Sequence, residues 1–246
     1  MTSNAESQIE EFVKKSRALT GKEVRERGPW NTEASDDAIR HFAYGIDDDN
    51  PLWLDPDYAP HKKLQVPPAF FVSVLYPILH GAPVAAPLSS LIGGVEFEWL
   101  RPVFAGEKLR ATSVQKDMFE KTNKAGRRLI FIIGEFTYFS GEDEVVARAS
   151  GTMIRTLQEG DSLLYDRDVT FYGEEEIQKI EDEYRAEKRT GADQIYWEDV
   201  SMGDALPPVL RGPLTIGDMV AWNAALGPSY KAGRLGYLDI IKAPHN

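Results

Sequence analysis

The sequence predicts an α+β domain, an antiparallel sheet wrapped around one buried helix, followed by the incomplete start of a second unit of the same kind. Three observations lead there. Residues 66–79 open on Pro67-Pro68 and are then apolar nearly all round, which suits a helix covered on every side. Four strand-like segments between residues 95 and 155 are separated by polar turns. After residue 193 the pattern of the chain's opening restarts, and the strands that should follow it do not appear within the 246 residues.

The elements follow in order. Residues 8–19 fit a short amphipathic helix. Residues 31–35 offer several N-caps, and Asp36-Asp37 place negative charge on the first turn of a helix running to about Tyr44. Ile39, Phe42 and Ala43 form its apolar face. An Asp-rich stretch with Asn50-Pro51 ends it, because a residue before proline is pushed out of the helical region. A second short helix is expected over 56–63, and the buried helix comes next.

Val95, Phe97 and Trp99 alternate with Glu96 and Glu98, the period of a half-buried strand. Residues 101–107 read as a turn and 108–119 as a strand. Residues 121–126 form a polar hairpin loop, 128–139 an apolar strand, and 144–155 a fourth strand after the turn at 140–143.

Three regions emerge: a domain over 5–156, a charged linker helix over 157–193, and a partial second unit over 195–246. The stretch 174–188 reads as a solvated helix. Gly21 lies 16 residues before Asp37, and Gly203 lies 15 before Asp218, so a glycine turn leads to a capped helix in both places. A strand and helix of this size cannot bury enough apolar surface alone. Residues 195–226 should therefore dock either on another subunit or on residues 5–156 of their own chain, and another subunit is favoured.

Composition narrows the function. Hydrophobic residues make up 42%, enough for a sizeable core. No apolar run reaches about 18 residues, so no membrane span is expected. The N-terminus lacks the basic and apolar regions of a signal peptide. The absence of cysteine excludes disulfides and thiolate chemistry and fits a cytoplasmic protein. A net charge of −11 argues against general nucleic-acid binding. Four scattered histidines, His41, His61, His80 and His245, make no metal constellation.

The most informative stretch is Asp47-Asp48-Asp49-Asn50-Pro51-Leu52-Trp53. It resembles the signature of the MaoC-like enoyl-CoA hydratases, Gly-Asp-x-Asn-Pro-Leu-His. Asp48 falls on the catalytic aspartate, Asn50, Pro51 and Leu52 match, and Trp53 stands in place of the catalytic histidine. The run Phe97-Glu98-Trp99-Leu100-Arg101-Pro102-Val103-Phe104-Ala105-Gly106 is similar to the Phe-x-x-Pro-Val-x-x-Gly strand and turn of the same superfamily. The ordered set resembles the N-terminal hotdog of double-hotdog MaoC-like dehydratases, relatives of the dehydratase region of fungal fatty-acid synthase.

That resemblance implies the hotdog fold over 5–156 and the start of a second hotdog over 195–246. It implies a hydro-lyase acting on an enoyl or 3-hydroxyacyl thioester, with coenzyme A as part of the substrate and no separate cofactor. In the family a carboxylate and an imidazole hold one water between them, and backbone N–H groups at the start of the buried helix stabilise the thioester oxygen. Pro67 and Pro68 carry no N–H, so Ala69 and Phe70 are the expected donors.

Residue by residue, alternatives stand. Asp48 is either a catalytic carboxylate or, with Asp47 and Asp49, a loop and capping residue. Asn50 either touches the site or orders its loop. Trp53 cannot shuttle protons, and it packs in the core or walls an acyl or pantetheine tunnel. Arg101, Lys108, Arg110, Arg127 and Arg128 either reach CoA phosphates or are solvated surface charges. The favoured reading is a subunit whose catalytic Asp/His pair lies mainly in a partner hotdog, as a homo- or hetero-oligomer. The alternatives are a self-sufficient enzyme using Asp48, a non-catalytic thioester-binding scaffold, and a hotdog thioesterase.

Overall fold

The computed structural model describes residues 3–24, 30–59, 62–157, 171–189, 191–193, 196–205, 208–227 and 234. Helices α1 (Ser3–Arg17), α2 (Asp36–Gly45) and α3 (Pro51–Leu54) precede strands β1 (Leu88–Trp99), β2 (Leu109–Thr122), β3 (Arg128–Ser140) and β4 (Glu144–Leu157). Helices α4 (Glu174–Ala186) and α5 (Ile216–Leu226) follow. The strands form one antiparallel sheet in the order β1-β4-β3-β2.

The sheet wraps an apolar segment, but that segment is not the long helix its pattern suggested. Only Pro68–Ser73 winds, as a 3-10 helix. Pro77 has no N–H to continue a helix and its ring would clash with the preceding turn. Burial, in contrast, is as expected: Phe70, Phe71, Val74, Leu75, Ile78 and Leu79 all enter the core. Tyr138 anchors the segment from β3 through a hydroxyl donating to the Leu75 carbonyl at 2.7 Å. Burial pushes that phenol well above its usual range.

The segment lies close enough to touch sheet backbone. Gly134 and Gly151 are cross-strand partners on β3 and β4. A Cβ on Gly151 would fall 1.7 Å from the Pro77 carbonyl oxygen, and one on Gly134 would fall 3.0 Å from Leu79 Cγ. The glycine pair is a notch that receives the irregular half of the segment.

Helix α2 keeps its expected face, with Ile39, Phe42 and Ala43 fully buried and Ser35 as N-cap. Of the helix expected over 56–63, residues 56–59 form turns and 60–61 lie outside the described residues. A single α-helical turn forms earlier, at Pro51–Leu54, because Asn50 caps it and Pro51 supplies its first position. The long edge strand β1 also departs from a half-buried pattern. Phe97 is partly covered, but Leu91, Ile92, Val95 and Trp99 are exposed. The closest contacts of the buried segment fall on β3 and β4, and β1, at the sheet edge, meets it through Trp99 near its end. A bulge at Gly93-Gly94 interrupts its pairing with β4.

The two sheet edges differ. The outer edge of β2 is met by the chain near residues 21–24 and 32, with Gly21, Val24 and Leu109 donating to Gln115, Ser113 and Thr32 carbonyls. Among the described residues no backbone segment bonds to the outer edge of β1. The turn after β1 is held by Arg101, which pairs with Glu107 and Glu144. Burial alone would raise the Glu107 carboxyl, but hydrogen bonds from Arg101, Ser140 and the Phe104 N–H outweigh it and hold the group below its usual range.

Gly151→Ala tests the notch. The added methyl must displace backbone rather than a side-chain tip, so a loss of about 1–3 kcal/mol is expected. Chemical denaturation should show a lower midpoint than wild type, and an unchanged midpoint would remove the notch from the account.

Candidate functional site

The signature loop is built by interlocking caps. Asp47 takes a left-handed backbone conformation with φ of 55°, which aspartate tolerates better than most residues. Its N–H donates to the Tyr44 carbonyl at 3.3 Å, and the Asp48 N–H donates to the Ala43 carbonyl at 2.9 Å. This pair of bonds closes α2 in a Schellman arrangement. The chain then starts α3 at once. Asp48 Oδ1 accepts the Asn50 N–H at 3.1 Å, and Asn50 Oδ1 accepts the Leu52 N–H at 3.0 Å. The Asp-x-Asn-Pro spacing is therefore a helix stop joined to a helix start. Asn50 is buried and orders the loop through backbone bonds.

Trp53 projects from α3 into the core, 6% exposed. Its indole N–H finds no hydrogen-bond partner among the described residues. The α3 turn is fastened to the strand-like stretch before the 3-10 helix by the Gln65 N–H on the Leu52 carbonyl, 3.0 Å. Of the two expected backbone donors, Phe70 is spent: its N–H donates to the Pro67 carbonyl at 2.9 Å, as the first bond of the 3-10 turn. Ala69 lies at the exposed opening of that turn, and no bond from its N–H is recorded. Trp99 reaches the same place, its indole N–H donating to the Pro68 carbonyl at 2.8 Å.

Sequence reasoning missed the residues that meet the loop from beyond residue 157. Arg189 Nε sits 2.6 Å from Asp49 Oδ1 and 3.7 Å from Asp48 Oδ1. Arg211 donates to the Asp47 carbonyl at 2.9 Å and lies 3.4 Å from the Asp47 carboxylate. Glu187, with 9% of its side chain exposed, bridges both guanidinium groups at 3.3 Å. The Ala192 N–H donates to the Tyr58 hydroxyl at 2.9 Å. The available signal was charge: three consecutive aspartates with no basic residue beside them need cations from elsewhere in the fold.

Helix α5 completes this contact. Thr215 caps it, and a Cβ on Gly45 would fall 2.2 Å from Ala225 Cβ and 2.8 Å from the Ala221 carbonyl oxygen. Phe42 and Trp222 rings lie 6.4 Å apart. Ala225 and Leu226 are buried within this same chain, so part of the segment expected on another subunit docks in cis. Ile216, Met219 and Val220 remain exposed. Residues 197–199 form a 3-10 turn rather than strand, and no strand partner stands beside them among the described residues. Ile195 and Leu206, expected in this apolar group, lie outside the described residues.

The remaining candidates scatter. His41 is exposed on α2 and His80 is exposed beyond the buried segment. His61 and His245 lie outside the described residues. No group of three metal-ligating side chains occurs among the described residues, and no helix there is long and apolar enough to cross a membrane. Lys108 pairs with Glu33, Arg110 with Asp143, and Arg128 with Glu10 and Glu120, so these cations are already engaged.

An antiparallel sheet around a buried segment, with an Asp-x-Asn-Pro turn at its margin, defines a hotdog of the MaoC-like dehydratase class. The chain belongs to the family described as "FAS1-like, dehydratase domain region", whose model matches residues 18–149. It is similar to a UPF0336 protein of Streptomyces coelicolor, 27% identical over 139 residues, or 53% of this chain and 89% of that protein. A UPF0336 protein of Streptomyces avermitilis is 26% identical over 136 residues, covering 52% and 88%. Among solved structures, a MaoC-like dehydratase superposes with a TM-score of 0.55 at 20% identity, over 87% of this chain and 68% of that one.

Two outcomes are expected at this site. Asn50→Ala removes the cap of α3 and should cost roughly 0.5–2 kcal/mol in a denaturation curve. The second concerns pH. The hydrogen bond from Arg189, aided by Arg211, holds the Glu187 carboxyl below its usual 4.5. A lowered folded value means the unfolded chain binds the proton more readily, so the contribution is complete above about pH 4.5 and is lost as pH falls through the folded value. Protection factors over 187–192, taken against the intrinsic exchange rate at each pH, should therefore fall in acid, in that window, before those of the sheet do.

Proposed function

We propose that this chain is a subunit of an acyl-CoA hydratase or dehydratase. It binds an α,β-unsaturated or 3-hydroxyacyl thioester, and the proton-transferring Asp/His pair is supplied mainly by a partner hotdog. Family membership supports the reaction class. The observation that carries the division of labour is Trp53: a buried indole, able only to donate, stands where the signature has its imidazole. Hydration needs one group to take a proton from water as its oxygen attacks the β carbon, and a proton delivered to the α carbon. An indole does neither. Asp48 already accepts the Asn50 N–H and faces Arg189, and among the described residues both histidines, His41 and His80, are exposed elsewhere on the fold.

What the chain offers instead is surface. The open edge of β1, with Leu91, Ile92, Val95 and Trp99 exposed beside it, suits pairing with another sheet. Ala69, at the exposed mouth of the 3-10 turn, is the residue proposed to meet the thioester oxygen, with Trp53 as wall. The unit over 5–156 is proposed to fold by itself, with 157–193 as linker and 195–246 as the opening of a second hotdog. A non-catalytic thioester-binding scaffold is the second reading, and the same indole favours it.

An absorbance assay on a panel of enoyl-CoA thioesters separates these. The isolated chain is expected to hydrate them about 10²–10⁴-fold more slowly than a complete site. Co-expression with a hotdog carrying an intact Asp-x-Asn-Pro-x-His motif is expected to give turnover near the common ~10 s⁻¹. Turnover of that order from the isolated chain would refute the division of labour. Binding without turnover in both cases would select the scaffold.

A further inference from the structure

The contacts between the signature loop and the chain beyond residue 186 form a set that neither the fold nor the motif requires. They reach the loop from several directions. Arg189 meets Asp48 and Asp49 on one side. Arg211 meets both the carbonyl and the carboxylate of Asp47 on another. Ala192 is tied to Tyr58 just past α3, and α5 presses on Gly45 just before the loop. The interlocking caps alone leave three adjacent carboxylates repelling one another at the end of α2, where the helix dipole is also unfavourable to negative charge. The guanidinium groups remove both penalties.

We infer that Arg189 and Arg211 are positioning residues: the end of the linker and the partial second unit together act as a latch that holds the Asp-x-Asn-Pro loop, and with it Trp53, in the shape that receives an acyl thioester. Each named group has a part. Glu187 spaces the two guanidiniums and is itself nearly covered. Asp49, mostly exposed, gives Arg189 its shortest contact. Burial opposes the Arg189 charge, and the neighbouring Glu187, Asp49 and Asp48 overcome it, so the group stays a cation. The fork of arginine matters, because Arg189 faces Glu187 with its two terminal nitrogens, at 3.3 and 3.4 Å, and the aspartates with Nε.

The inference rests on the thioester-binding reading, and the test keeps the two apart. Full-length wild type, Arg189→Ala, Arg211→Ala, the double variant and Arg189→Lys are compared by hydrogen exchange and by titration with crotonyl-CoA. In the double variant, amides of 46–58 are expected to exchange about tenfold faster, while β3 and β4 keep wild-type protection. Crotonyl-CoA affinity is expected to fall by a similar factor, and Arg189→Lys is expected to recover only part of either loss. Unchanged exchange over 46–58, or full recovery by lysine, overturns the role of the arginines. Faster loop exchange with unchanged thioester affinity also overturns it, since the loop would then not shape the site. If wild type itself does not bind crotonyl-CoA, the thioester reading fails, and the latch is judged on the exchange of 46–58 alone.

Discussion

The seating of residues 70–79 on the sheet governs this structure. A hotdog sheet needs something apolar to wrap, and here the wrapped segment is helical for only six residues. Its remainder carries backbone groups that must come close to the strands. Side chains on β3 and β4 would hold it away. The paired glycines at 134 and 151 let the Pro77 carbonyl approach the strand backbone, and Tyr138 takes up the Leu75 carbonyl that a longer helix would have bonded internally. With the segment seated, Phe71 packs on Tyr138, and the Tyr138 ring is in turn 6.1 Å from Phe97. Phe70 meets Phe42 of α2. The position of α2, and so of the signature loop at its end, descends from that contact.

Much of this was legible in the residues, and the exceptions share a cause. Periodicity located the strands because each needs only a local alternation and a turn. It located α2, its cap at Ser35 and its buried face for the same reason. It overstated the central helix, because an apolar run reports burial and not winding, and Pro77 was the stronger evidence. It also took Val95 and Trp99 as half-buried. Whether an alternating strand is covered depends on what lies across the sheet, and β1 is the edge strand, which the wrapped segment meets at its Trp99 end.

At the candidate site, the family motif and the local chemistry say different things about the same residues. The motif gives Asp48 and Asn50 roles toward substrate. The geometry gives both of them backbone N–H groups to hold. These are compatible, since a loop whose carboxylate and amide fix its shape also fixes where its remaining groups point. Tryptophan at residue 53, where the signature has histidine, is compatible with the loop, because the caps do not involve the side chain there. The motif's spacing is thus legible as architecture, which explains why a sequence reading could recover the fold from it.

The two capped helices show how far local sequence decides packing. Ser35 and Thr215 accept from the third helical N–H of α2 and α5 respectively, so Ile39 corresponds to Met219 and Phe42 to Trp222. In α2 that face is fully buried. In α5 Met219 is exposed, and the closest contacts with α2 come from Ala221 and Ala225, with Leu226 also buried. The cap and the periodicity are equivalent, and what differs is the sheet available to receive the face. Small residues let α5 lie directly against Gly45, and the cations from the same region neutralise the aspartates beside it. The second unit, with no strands of its own among the described residues, thus contributes to the first through close backbone contact and charge. That gives residues 187–227 a role in shaping the loop that does not depend on their completing a hotdog of their own.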